Sequence, residues 1–108
     1  MIELTKENFD QEVTEAKGVV FVDFWSPKCE KCLELLPEIE AFAEKNADKA
    51  KFCKLDAAGN RRLSIAQKVM GLPAFVFYLD GERNFMFDAG NIDIDAIQTK
   101  LDELLNIE

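Results

Sequence analysis

The order of hydrophobic periods predicts an α/β protein, a three-layer α/β/α sandwich built on one mixed sheet. Three observations carry that expectation. Short apolar runs alternate with helix-spaced stripes along the chain. One run, Val19 to Trp25, is apolar at nearly every position, as a strand covered on both faces must be. Asp80-Gly81 then separates two strand-like runs and marks a hairpin.

Each element follows from its own residues. Ile2 to Leu4 predicts a short first strand. "TKENFDQEVTEA" sets Phe9, Val13 and Ala16 at helical spacing, with Thr5 available as N-cap. After the central strand, Cys29 opens a helical stretch that places Cys32, Leu35, Leu36, Ile39, Phe42 and Ala43 on one stripe. Glu34, Glu38, Glu44 and Lys45 lie opposite. Pro37, inside this helix, removes one backbone donor and crowds the carbonyl of Leu33, which predicts a kink rather than a break.

"AKFCKLD" alternates as an inner strand, and "NRRLSIAQKVMG" predicts a short helix with Asn60 as cap and Gly71 as stop. "AFVFYL" and "RNFMFD" form the antiparallel pair around the Asp-Gly turn. Ile94, Ile97, Leu101 and Leu104 space a last helix. Five strands and four helices result. Right-handed crossovers put helices on both faces of the sheet.

A chain of 108 residues makes one domain, residues 1–108, able to bury roughly 65% of its unfolded surface without a disulfide staple. Acidic residues outnumber basic ones by 21 to 13, so nucleic acid is not expected as a partner. "MIELTKENFD" has neither a basic start nor an apolar core of the kind that targets export, and "LPAFVFYL" is too short to span a bilayer. A cytoplasmic monomer without membrane contact is the expectation. In a reducing compartment, a close cysteine pair points to catalysis or metal. Zinc needs four ligands, whereas the chain has no His and only Cys53 as a further sulfur. No metal site is therefore expected.

The chemistry concentrates in "VVFVDFWSPKCEKC". A helix N-terminus favours the thiolate, and Cys29 is placed there. Cys32 lies one turn further on, close enough in principle for an S–S bond. Cys29 follows the loop "SPK" and Cys32 begins the apolar stripe, so Cys29 is expected to attack and Cys32 to resolve. Asp23, in the apolar strand behind them, should have a raised pKa and be able to exchange a proton with Cys32. Lys54, on the next inner strand, would offset that rise if it leaned toward Asp23. Cys53 is expected to pack in the core as a small hydrophobe.

At these residues the chain resembles thioredoxin over nearly its whole length. Val22 to Trp25 reads "VDFW", Cys29 and Cys32 form the C-x-x-C, Pro37 is the helix proline, Lys54 the buried lysine, and Gly71-Leu72-Pro73 the loop before the fourth strand. The resemblance implies a thioredoxin-like fold with strand order 1-3-2-4-5 and a cis bond between Leu72 and Pro73. It also implies a redox disulfide between Cys29 and Cys32, with substrate docking at Leu72. Trp25 lines the site by the same resemblance.

The departures lie at Lys28-Cys29-Glu30-Lys31-Cys32, where the usual Trp before the nucleophile and the Gly-Pro between the cysteines are missing. Gly90 stands about one position from the family's later glycine. The charged motif is similar to those of thioredoxins serving glycine, sarcosine or betaine reductases in amino-acid-fermenting anaerobes.

Lys28, Glu30 and Lys31 join Gly71, Leu72, Pro73 and Gly90 as candidate substrate contacts. No cofactor is implied. Electrons would come from a thioredoxin reductase, an NADPH- or ferredoxin-linked flavoprotein. Three function classes follow: a general reductant of protein disulfides, a carrier dedicated to one complex such as an amino-acid reductase, or a redox-sensitive binding module without catalysis.

Overall fold

The structure is a computed structural model, and it describes residues 1–107. Strand β1 (Ile2–Leu4) leads to a single wide turn of helix, α1 (Asp10–Thr14). Next come β2 (Val19–Trp25), the long helix α2 (Glu30–Lys45), β3 (Lys51–Asp56) and the short α3 (Arg61–Ala66). The hairpin β4 (Ala74–Leu79) and β5 (Glu82–Asp88) precedes the final helix, α4 (Ile94–Ile107).

The sheet has the order β1-β3-β2-β4-β5 that the resemblance implies, with β2 in the centre. β2 runs parallel to β3 and antiparallel to β4. Its alternation sorts the core into two layers. Val19 and Phe21 face α2 and α4, meeting Leu35, Ile39, Phe42, Ile97 and Leu101. Val20, Val22 and Phe24 face the other way, toward Phe9 and Val13 of the first turn and Val69 after α3. Phe21 is a hub, its ring lying 5.2–5.8 Å from those of Phe42, Phe52, Phe75 and Phe77. Such pairs contribute roughly 0.5–1.5 kcal/mol each beyond area burial. The wall beneath α2 is therefore rigid where the cysteines need support.

Two elements differ from the pattern-based expectation. The first helix is a π-type turn in which the Glu15 N–H donates to the Asp10 carbonyl at 2.8 Å. Thr5 caps the turn before it, its Oγ1 accepting from the Glu7 N–H at 3.2 Å. The widened turn still points Phe9 and Val13 into the core, so burial overrides the regular period.

The second difference is the end of α3, which stops at Ala66 rather than at Gly71. Val69 N–H donates to the Ser64 carbonyl and Lys68 N–H to that of Ile65, the paired bonds of a left-handed helix end. Lys68 occupies the left-handed position with φ 64°, where glycine is usual. Asn60 precedes the helix without capping it through its side chain. Its Nδ2 donates instead to the Asp56 carbonyl.

α2 runs unbroken through Pro37. The Asp80-Gly81 turn takes positive φ at both residues, 51° and 85°, as the hairpin required. A Cβ at Gly81 would collide with the Thr14 carbonyl oxygen, so the turn seats against α1 only because that residue is glycine.

Candidate active site

β2 ends at Trp25, and three loop residues carry the chain to Cys29, the residue that caps α2. The loop is fixed by Ser26. Its Oγ accepts the Lys28 N–H at 3.2 Å, and its carbonyl accepts the Cys29 N–H at 3.0 Å. Cys29 Sγ accepts the Cys32 N–H at 3.1 Å, using a donor that the helix start would otherwise leave free. Cys29 and Cys32 form a disulfide, with 5.2 Å between their Cα atoms. Exposure falls along the turn as expected: Cys29 is half-buried, whereas Cys32 retains 6% exposure.

Asp23 shares the face of β2 that α2 covers, since it stands two residues beyond Phe21. It is 3% exposed, and its Oδ1 has no hydrogen-bond partner. Burial pushes its carboxyl up from the ordinary 3.8 to about 7, while the Lys54 ammonium draws it partly back. Lys54 is the register partner of Asp23 on β3. It makes no ion pair with Asp23 among the described residues; its Nζ stands 5.7 Å from the centre of the Trp25 ring.

Trp25 Nε1 is also buried without a partner. Two orphaned polar atoms two residues apart on one strand face are costly, roughly 1–3 kcal/mol apiece, and such costs gather where chemistry is done.

Leu72 and Pro73, before β4, are joined by a cis bond, with Pro73 buried and Leu72 half-buried. The segment Met70 to Leu72 forms the ridge between two grooves. One, of about 440 Å³, is walled by Ser26, Ala57, Ile65 and Val69. The other, of about 280 Å³, brings Gly71 and Leu72 together with Gly90, Met86 and Asp88. Lys28, Glu30 and Lys31 are exposed around the dithiol, and Lys31 leans on Glu34 at 3.8 Å.

A family model described as Thioredoxin matches residues 1–103. The chain belongs to the thioredoxin family. It is 43% identical over 83 residues to a thioredoxin of Acetoanaerobium sticklandii, covering 77% of this chain and 79% of that one. A thioredoxin of Peptoclostridium acidaminophilum is 39% identical over 103 residues, covering 93% and 94%. Among solved structures, a mutant thioredoxin from Halobacterium salinarum NRC-1 superposes with a TM-score of 0.83 at 30% identity. The match covers 96% of this chain and 89% of that one.

This thioredoxin-family chain is a protein thiol–disulfide oxidoreductase with its C-x-x-C pair at Cys29 and Cys32. Thioredoxins need no cofactor, and no cluster of three or more metal-ligating side chains occurs among the described residues. No described helix is long and apolar enough to cross a membrane. Sequence reasoning missed the grooves, and with them Arg61, Ile65, Lys68 and Met70. An exposed methionine directly before the Gly-Leu-Pro loop was the available signal.

Proposed function

We propose that Cys29 attacks partner disulfides, that Cys32 resolves the resulting mixed disulfide, and that Asp23 holds or releases the proton of Cys32. The observation that carries this reading is the Cys29 sulfur seated on the first turn of α2, taking a backbone N–H, while Cys32 is shielded one turn below. The same N–H would stabilise a thiolate at Cys29 once the disulfide is open. Lys54 tunes Asp23 through space and braces Trp25. The partner segment lies along the backbone of Leu72, with Gly71, Pro73 and Gly90 shaping the surface and Trp25 behind it. Residues 1–108 act as one domain, a cytoplasmic monomer recharged by a flavoprotein thioredoxin reductase linked to NADPH or ferredoxin. Dithiothreitol-driven reduction of an unrelated disulfide protein tests the reading. Turnover is expected, and its absence would leave only a binding module.

A second reading, a carrier dedicated to one partner such as a glycine-type amino-acid reductase complex, is favoured by the charged motif. Lys28 and Lys31 outnumber Glu30 around the dithiol of a chain whose net charge is −8. Without the bulky Trp and the Gly-Pro surface, a reductase shaped for the usual thioredoxin face has little to grip. Low NADPH consumption is therefore expected with a generic thioredoxin reductase. Partial recovery is expected in the triple variant Lys28→Trp, Glu30→Gly, Lys31→Pro. Equal turnover by the natural and rewritten motifs would count against a dedicated carrier. So would capture of a broad set of proteins by Cys32→Ser in a lysate.

A further inference from the structure

Lys68 stands at a helix end where glycine is usual, and its side chain takes no part in that end's bonds. It holds a left-handed backbone angle that glycine adopts without penalty, and its side chain is exposed. Among the described residues its ammonium has neither an ion pair nor a hydrogen bond. Lys28, Arg61 and Arg62 are likewise exposed and without ion pairs among the described residues. Lys28 adjoins Cys29 in the chain, Arg61 and Lys68 line the two grooves, and the net charge of the whole chain is −8.

Their placement has a direction. Arg61 borders the larger groove and Lys68 the smaller, and the two grooves share the ridge Met70 to Leu72. The larger is apolar, walled by Ile65 and Val69, while Met70 stands 81% exposed on the ridge. Asp88 also borders the smaller groove and its Oδ1 accepts the Gly90 N–H at 3.2 Å, but it makes no ion pair with Lys68 among the described residues, so the Lys68 ammonium stays open to an incoming carboxylate. Asp56, near Arg61 in sequence, accepts the N–H groups of Ala58 and Gly59 and makes no ion pair with Arg61 among the described residues.

We infer that Arg61 and Lys68 are specificity-determining residues. They select partner disulfides carried on an extended segment with an apolar side chain for the larger groove and carboxylates on either side of it. The inference rests on the proposed docking of that segment along Leu72. Charge complementarity names the occupant: Arg61 lies on the wall of the apolar groove and Lys68 in the groove across the ridge, both unpaired, and a carboxylate on each flank of the apolar side chain satisfies both.

The chemistry served is unchanged. Cys29 thiolate attacks one partner sulfur and expels the other as thiolate. Cys32 thiolate then attacks Cys29 Sγ and releases the first. Two electrons pass from the dithiol to the partner disulfide, and protons from the medium or Asp23 balance the thiolates.

The test is single-turnover oxidation of the pre-reduced chain, read by the fluorescence of its single tryptophan. Two synthetic disulfide peptides serve as partners, identical except for Glu or Lys on both flanks of an apolar residue. The wild type is expected to favour the Glu peptide, and about 0.5 M salt to erase the preference. Lys68→Gly should cut the rate with the Glu peptide about twofold to fivefold, the size of an exposed ion pair, and spare the Lys peptide. Its unfolding midpoint should rise as the backbone relaxes, which separates lost selection from lost folding. Lys68→Arg should keep the preference.

Met70→Ser, a neutral change to the ridge, should slow both peptides alike. If it slows neither, the docking along Leu72 is wrong. If it slows both while Lys68→Gly and Arg61→Ser leave the Glu preference intact, docking stands and charge selection is overturned. A concentration-dependent dimer dispersed by Lys68→Glu would assign the face to a second copy and also overturn the inference.

Discussion

Cys29→Ser is expected to take disulfide turnover below detection, whereas Cys32→Ser should stop the reaction half-way, with the partner covalently attached. The asymmetry follows from where the two sulfurs sit. Cys29, half-buried at the mouth of α2, is the sulfur a partner can reach. Cys32 is shielded beneath it, and its N–H points back at Cys29. Exchange needs a thiolate with access to the target sulfur, so losing Cys29 removes the attacking group itself. Losing Cys32 leaves the attack intact and removes only the group that releases the product. Intact-mass measurement after mixing with a disulfide peptide should show an adduct on Cys32→Ser and none on Cys29→Ser. Alkylation of the reduced wild type should modify Cys29 well before Cys32. Equal rates at the two thiols would refute the division of labour.

Asp23→Asn should slow release of the mixed disulfide by on the order of 10²-fold, the lower range for a positioned acid or base. The same change should stabilise the fold, and the sign of its pH dependence is fixed by the raised pKa. Below pH 3.8 the carboxyl is protonated in both folded and unfolded chains, and its burial carries no charge penalty. Between 3.8 and about 7 the unfolded chain ionises while the folded one keeps its proton, so Asp23 becomes increasingly destabilising. Above about 7 the penalty is complete, on the order of 4 kcal/mol. Asparagine carries no such penalty. The variant's advantage in urea denaturation of the disulfide form should vanish near pH 4 and reach several kcal/mol by about pH 8. Coincident curves at that upper pH would contradict the burial of an ionisable group. In kinetics, the wild type should show an inflection near pH 7 in mixed-disulfide release that the variant lacks.

Much of this site was legible because its signals are local. The helix stripe begins at Cys32, the Asp23 carboxylate interrupts an otherwise apolar strand, and Asp80-Gly81 fits one turn type. The rest depended on contacts between distant residues. Gly71 resembled a helix stop, yet α3 ends earlier because burial of Val69 holds Lys68 in the left-handed angle, a trade invisible to local propensity. The lean of Lys54 toward Trp25 depends on what flanks it across β2, and spacing along β3 carries no information about that. The larger groove is a space between the Ser26 loop, α3 and the Met70–Leu72 segment, and the smaller lies between that segment and the end of β5. A space has no residues of its own to read.

Cys53 lies on β3, fully buried, with its thiol pushed up to about 12 by burial. It faces the core layer of Val22 and Leu55, whereas Cys32 belongs to the helix covering the opposite layer. The sheet thus acts as an insulator between the working couple and the spare sulfur. Each native chain can carry one electron pair and has no route to a scrambled pairing short of unfolding. A thiol reagent should count two cysteines in the folded, reduced protein and all three in the denatured one, so the third thiol becomes a built-in reporter of global opening.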